Sequence, residues 1–158
     1  MAQKTFTTGE VLTAADVNTY LAGEGGAWTS WTPAVTQVGS VSVTNTRSTY
    51  ARFGRLIVAS LNLAVTGSGT AANSVLISLP VTAASATAGA IGSGVIKDSS
   101  ASNARYGGVA LLSTTTSFLL ISTNGGVASP GALGSVDFTA GLASGDDITA
   151  MIIYEAAT

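Results

Sequence analysis

Between residues 55 and 65 the chain sets one apolar face against a mixed one. Ile57, Ala59, Leu61, Leu63 and Val65 fall on one face, while Ser60 and Asn62 fall on the other. A period of two sends successive side chains to opposite sides of an extended backbone, so this run predicts a β-strand with one buried face. Short runs of the same kind recur. Residues 48–53 predict a strand joined tightly to 55–65 at Gly54, residues 32–38 are rich in β-branched side chains, and 74–79 stop at Pro80. Residues 88–97 and 105–113 predict two strands across the polar loop 98–103. Residues 115–122, β-branched and aromatic, end at Asn124-Gly125-Gly126, a turn-forming triplet. Residues 136–140 predict another short strand, and Gly145-Asp146-Asp147 turns into the last one, 148–155. In that final strand Ile148, Ile152 and Tyr154 share one face, and Met151 and Ile153 share the other, which predicts burial on both sides. About eight short strands at regular spacing predict an all-β domain, a β-sandwich or jelly roll. No period of 20–50 residues points to a solenoid or propeller.

Residues 1–26 follow a different pattern. Thr13-Ala14-Ala15-Asp16 has the form of a helix N-terminus, with Thr13 placed to cap and Asp16 in the first turn, where the helix dipole favours a carboxylate. Leu12 and Val17 occupy the two positions of a hydrophobic staple. Val17, Tyr20 and Leu21 fall at i, i+3 and i+4 on one face, and Gly23, Gly25 and Gly26 end the run. A helix of two or three turns is marginal alone and needs a surface to dock on. The chain therefore divides into an arm, 1–26, with a short N-terminal helix, and a β-domain, 27–158.

Composition narrows the chemistry. There is no His and no Cys, and the six basic and eight acidic residues make up only 9% of the chain, against about 25% in an ordinary globular domain. The usual means of proton transfer, thiol chemistry and soft-metal binding are missing. A net charge of −2 offers no polyelectrolyte attraction to nucleic acid or to an anionic membrane. The longest apolar runs, such as 56–59 and 118–121, fall far short of the ~18 residues that a spanning helix needs. The N-terminus lacks the apolar core of a secretory signal. A polypeptide this hydrophobic and this weakly charged stays dissolved by hiding apolar surface, and burial against copies of itself is the reading adopted here.

Individual motifs favour structural readings. Gly89-Ala90-Ile91-Gly92-Ser93-Gly94 matches neither G-x-G-x-x-G nor a P-loop, and glycines in a strand permit close packing or bulges. No serine sits in G-x-S-x-G, and without His no serine triad can form. A serine–lysine pair would need Lys4 or Lys97, neither of which lies in a recognisable motif. Asp146 and Asp147 are neighbours on an extended segment and so point apart, unlike the paired carboxylates of a glycosidase. A Ca²⁺ site through Asp98 or Asp146 has no supporting spacing. Arg47, Arg52 and Arg55 hold half of the positive charge and read as strand rims or interface ion pairs. No catalytic residue, metal site or cofactor is assigned. Trp28, Trp31, Tyr106 and the loop residue Asn103 are the candidates for contact with a glycan or partner, though packing is the commoner use of a junction tryptophan.

Three segments together resemble virion proteins of tailed bacteriophages, especially those of actinobacterial hosts. The first runs Phe6-Thr7-Thr8-Gly9-Glu10-Val11-Leu12-Thr13-Ala14-Ala15-Asp16-Val17-Asn18-Thr19-Tyr20-Leu21, similar to an N-terminal segment of tail and fibre-type proteins. The second is Trp28-Thr29-Ser30-Trp31-Thr32-Pro33 with Tyr50-Ala51-Arg52-Phe53-Gly54-Arg55-Leu56-Ile57-Val58, and the third runs from Ala143 to Ala157. They resemble the opening and closing strands of small fibre-head domains. The resemblance implies a homotrimeric jelly roll on the outside of a virion, either a capsid decoration protein or a short tail appendage. It would dock on capsid or tail proteins through Val11, Leu12, Val17, Tyr20 and Leu21. Trimerisation would use apolar faces of the last strand, at Ile148, Met151, Ile152, Ile153 and Tyr154. A host-glycan-binding role in receptor recognition is the alternative. A depolymerase would rest on Asp98 or Asp146.

Overall fold

The computed structural model describes residues 7–11, 13–16, 28–71, 73–87, 89–122 and 141–158. A single helical turn, α1 (Ala14–Asp16), precedes ten strands: β1 (Thr29–Ser30), β2 (Val35–Gln37), β3 (Gly39–Val41), β4 (Val43–Phe53), β5 (Leu56–Val65), β6 (Leu76–Ser78), β7 (Ala90–Asp98), β8 (Ala104–Thr114), β9 (Ser117–Ser122) and β10 (Asp147–Glu155). The chain is all-β. Its strands form one curled antiparallel sheet in the order β1-β4-β5-β10-β7-β8-β9-β6-β2-β3.

Turn chemistry sets the hairpins. Phe53 pairs with Leu56 across the two-residue loop 54–55, and Gly54 takes φ +60°, the positive angle that a type II′ turn places at its first central residue. The β7–β8 loop is organised by Asp98, which is buried and accepts hydrogen bonds from Ser100 N–H (2.9 Å), Ser100 Oγ–H (2.7 Å) and Ala101 N–H (3.0 Å). Short-range side-chain-to-backbone bonds of this type are what make Asp a turn former. Between β2 and β3, exposed Val38 takes φ 69°, a left-handed conformation that costs a β-branched residue roughly 1–2 kcal/mol.

β10 lies inside the sheet, paired from Asp147 to Glu155 with β5 and from Asp147 to Ile152 with β7. Its inward residues Ile148, Ala150, Ile152 and Tyr154 are buried with Ile57, Ala59, Leu61, Leu63 and Val65 of β5. Phe118 and Leu120 of β9, Ile77 of β6 and Val35 of β2 complete the same core from the other half of the sheet. The β7 glycines let β10 come close. A Cβ on Gly92 would overlap the Met151 carbonyl, and one on Gly94 would stand 2.7 Å from the Thr149 carbonyl oxygen and 2.8 Å from Leu120 Cδ2. The β7–β8 register shifts between Ala90 and Gly92, so the glycine run serves packing and a bulge.

Two polar groups tie segments together inside this apolar frame. Gln37 is buried, accepts the Leu142 N–H at Oε1 (2.9 Å) and donates from Nε2 to the Asn73 carbonyl (2.9 Å). The Tyr154 hydroxyl donates to the Val81 carbonyl (2.7 Å) and accepts from the Val81 N–H (3.2 Å).

The structure departs from the sequence expectations in several places. β1 and β3 were not anticipated, and β4 begins at Val43, well before residue 48. The final strand is buried on one face only, for Met151 and Ile153 are about half exposed. In the arm, Ala14–Asp16 is helical and Val11 is exposed, and Thr7–Glu10 forms a turn closed by the Glu10 N–H on the Thr7 carbonyl (3.0 Å). Leu12, Val17, Tyr20, Leu21 and the glycines that follow lie outside the described residues, as do the 124–126 turn and the 136–140 strand.

Burial pushes the Tyr154 phenol up to about 12 from its ordinary 10. The folded state thus holds this proton more tightly than the unfolded chain does. The phenol's contribution to stability is complete below pH 10 and disappears as the pH rises from about 10 to about 12. Tyr154→Phe, followed by chemical denaturation, is expected to cost about 1–3 kcal/mol at neutral pH, because the Val81 amide loses its partners. The same variant should lose less stability than the wild type between pH 10 and 12.

Candidate functional site

The outward residues of the central strands line up in rows set by the register. At one end Phe53 stands beside Leu56, and Leu56 beside Glu155. The next row is Ala51, which is buried, with Val58 and Ile153. Then come Thr49, Ser60, Met151, Ser93 and Val109, followed by Arg47, Asn62, Thr149, Val95 and Gly107. The last row is Ala64, Asp147, Lys97 and Arg105. One face therefore grades from apolar at the β4–β5 turn, through hydroxyl and amide groups, to charged at the opposite end.

The middle rows form a groove of about 890 Å³ across β4, β5, β10, β7 and β8. Five strands at the usual spacing of ~4.8 Å make it roughly 19 Å long. Trp28 stands at its rim. Ser30 pairs with Thr49, and alternation puts Trp28, two residues earlier, on the same side of the sheet. The residue is 59% exposed. Gly107 lies in the lining, and a Cβ built there meets nothing within 4 Å. A smaller pocket of about 300 Å³, sharing Asn62, Val95 and Thr149 with the groove, is lined by Lys97, Arg105 and Asp147. Lys97 Nζ lies 3.0 Å from Asp147 Oδ2, a partly exposed pair worth at most about 1 kcal/mol. Among the described residues neither Arg47 nor Arg105 is ion-paired, whereas Arg55 meets Glu155 at 3.1 Å.

The tryptophans separate. Trp31 is buried in the core, its N–H on the Ser48 carbonyl at 3.1 Å and its carbonyl accepting from Asn45 Nδ2 at 2.7 Å. The indole nitrogen of Trp31 and the Ser48 hydroxyl are buried with no hydrogen-bond partner among the described residues. Tyr106 packs against the core. Trp31 thus serves as core, which corrects the expectation of a surface contact for it, whereas Tyr106 remains half-buried. Asn103 is exposed in the β7–β8 turn at φ 62° and does not line the groove. Of the residues expected at a subunit interface, Ile148, Ile152 and Tyr154 face the chain's own core, while Met151 and Ile153 face outward.

The candidate carboxylates have structural partners. Asp146 is buried and accepts from Ser99 N–H (2.9 Å), Ser99 Oγ–H (3.1 Å) and Ala143 N–H (2.9 Å). It thereby joins the turn before β10 to the loop after β7. With Asp98 committed to its own turn, neither carboxylate lies in the groove. No group of three His, Cys, Asp or Glu side chains able to hold a metal ion occurs among the described residues. Arg47 and Asn62, which share a groove row, were not paired by sequence reasoning, because cross-strand register brings them together. No protein-family model, curated protein or solved structure matches the chain.

Asp146→Ala is expected to lower stability by about 1–3 kcal/mol, the cost of leaving buried donors without an acceptor. Denaturant titration reads the loss, and the fluorescence of Trp28 at the groove should not change.

Proposed function

We propose that this chain is a non-enzymatic, self-associating structural module of a bacteriophage exterior. In this reading it is a homotrimeric jelly roll attached to the capsid or tail through residues 1–26. The observation that carries the reading is the apolar end of the outer face. Phe53, Leu56, Met151 and Ile153 are each about half exposed and are neighbours or near neighbours by register. Apolar side chains gathered on one face and rimmed by charge, here the Arg55–Glu155 pair, are the pattern of a protein interface. With so few charges elsewhere to keep the surface wet, two further copies arranged about a three-fold axis are the natural cover. The resemblance of the arm and of the opening and closing strands to virion proteins supports a place on a phage particle.

Sedimentation of the full chain at micromolar concentration is expected to give three times the 15.5 kDa monomer mass. Met151→Glu/Ile153→Glu should give the monomer with its β-sheet circular dichroism intact, since burying unpaired charges at the contact costs several kcal/mol. A wild-type monomer would contradict self-association. The anchoring role is tested separately by deleting residues 1–26, which should preserve the trimer and abolish incorporation into particles.

A further inference from the structure

We propose that the groove across the outer face binds an anionic carbohydrate, with a sugar ring on Trp28 and a sugar carboxylate on Arg47. The groove is lined by residues of one chain and shares only Met151 with the apolar end of the face. Four observations converge on it. Trp28, an exposed tryptophan at the rim, offers an apolar plate whose burial is favourable, and a sugar presents a matching apolar C–H face. Arg47 lines the same groove and has no carboxylate partner among the described residues. A planar guanidinium matches a carboxylate in a two-bond fork, and a free one beside a groove suits an anionic ligand.

The third observation is the lining between these two groups. Asn62, Thr49, Ser60, Thr149 and Ser93 carry short uncharged donors and acceptors on regular strands, a rigid array suited to a polyol. The fourth is electrostatic. The chain is negative overall, at −2, yet Arg47, Lys97 and Arg105 gather along this groove and its adjoining pocket against Asp147 alone. This local excess of positive charge draws an anionic glycan, while three cations are too few for the phosphate-tracking surface of a nucleic-acid binder. The open lining at Gly107 leaves room for the ligand to lie across β7 and β8.

The test is calorimetric titration of the full chain with an oligogalacturonate and, in parallel, with a neutral galactan oligomer of the same length. The oligogalacturonate should bind and the neutral oligomer should bind at least tenfold more weakly. Binding should weaken as salt is raised, since the charges are exposed to screening. Arg47→Gln and Trp28→Ala should each reduce oligogalacturonate affinity by about tenfold or more, the loss typical of a charge-assisted bond or an aromatic contact. Both residues are exposed, so the variants keep the fold. Gly107→Phe, which fills the groove from an open position, is an independent block and should also abolish binding. Ile153→Glu, outside the groove, should bind as the wild type does whatever its association state, which separates this inference from self-association. Equal binding of charged and neutral oligomers, or wild-type affinity in Arg47→Gln, Trp28→Ala and Gly107→Phe, would overturn the proposal.

Discussion

Strand β10 is hydrogen-bonded on both sides, to β5 along its whole length and to β7 over its first two-thirds. This double pairing fixes the register of the middle of the sheet. A one-residue slip would move Ile148, Ala150, Ile152 and Tyr154 out of the core and Met151 and Ile153 into it. The close approach that makes the pairing work depends on Gly92 and Gly94, where no side chain fits. The same alternation that assembles the core also determines what the outer surface carries. The core and the candidate site are two faces of the same strands.

Charge is scarce, and the structure uses much of it for architecture. Asp98 and Asp146 are buried and accept from backbone amides and serine hydroxyls at the turn after β7 and the turn before β10. Carboxylates held in this way are turn organisers. Gln37 and the Tyr154 hydroxyl extend the principle, each fastening a chain segment distant in sequence through two hydrogen bonds. Of the remaining charges, Arg47, Lys97 and Arg105 with Asp147 sit together on the outer face. Their grouping gives that face a polarity that the net charge does not reveal.

Much of the strand content was legible because long strands write a period of two into the sequence. The buried row of β5 and the two-faced alternation of β10 could be read residue by residue. Strands β1 and β3, two and three residues long, are too short to show a period and exist through their partners. Val38 hides the β2–β3 turn, since a β-branched residue at positive φ runs against turn chemistry. The site was less legible. Trp28 and Trp31 look alike in sequence, but an odd spacing in extended chain sends them to opposite sides, one to the groove and one to the core. The rows that bring Arg47 beside Asn62, and Thr149 beside Val95, follow from register across four strands, which composition and local pattern do not encode.

The central claim is that the outer face of β10 is a working surface, covered by other copies of the chain at its apolar end. Met151 reports on this directly, because the residue is 53% exposed in the single chain and only one other methionine, Met1, exists to be distinguished by mass. Peroxide oxidation of Met151 can be followed across a dilution series from hundreds of micromolar to nanomolar. The account predicts slow oxidation in concentrated solution and acceleration on dilution as the face is uncovered. Fast oxidation at a rate independent of concentration would contradict it.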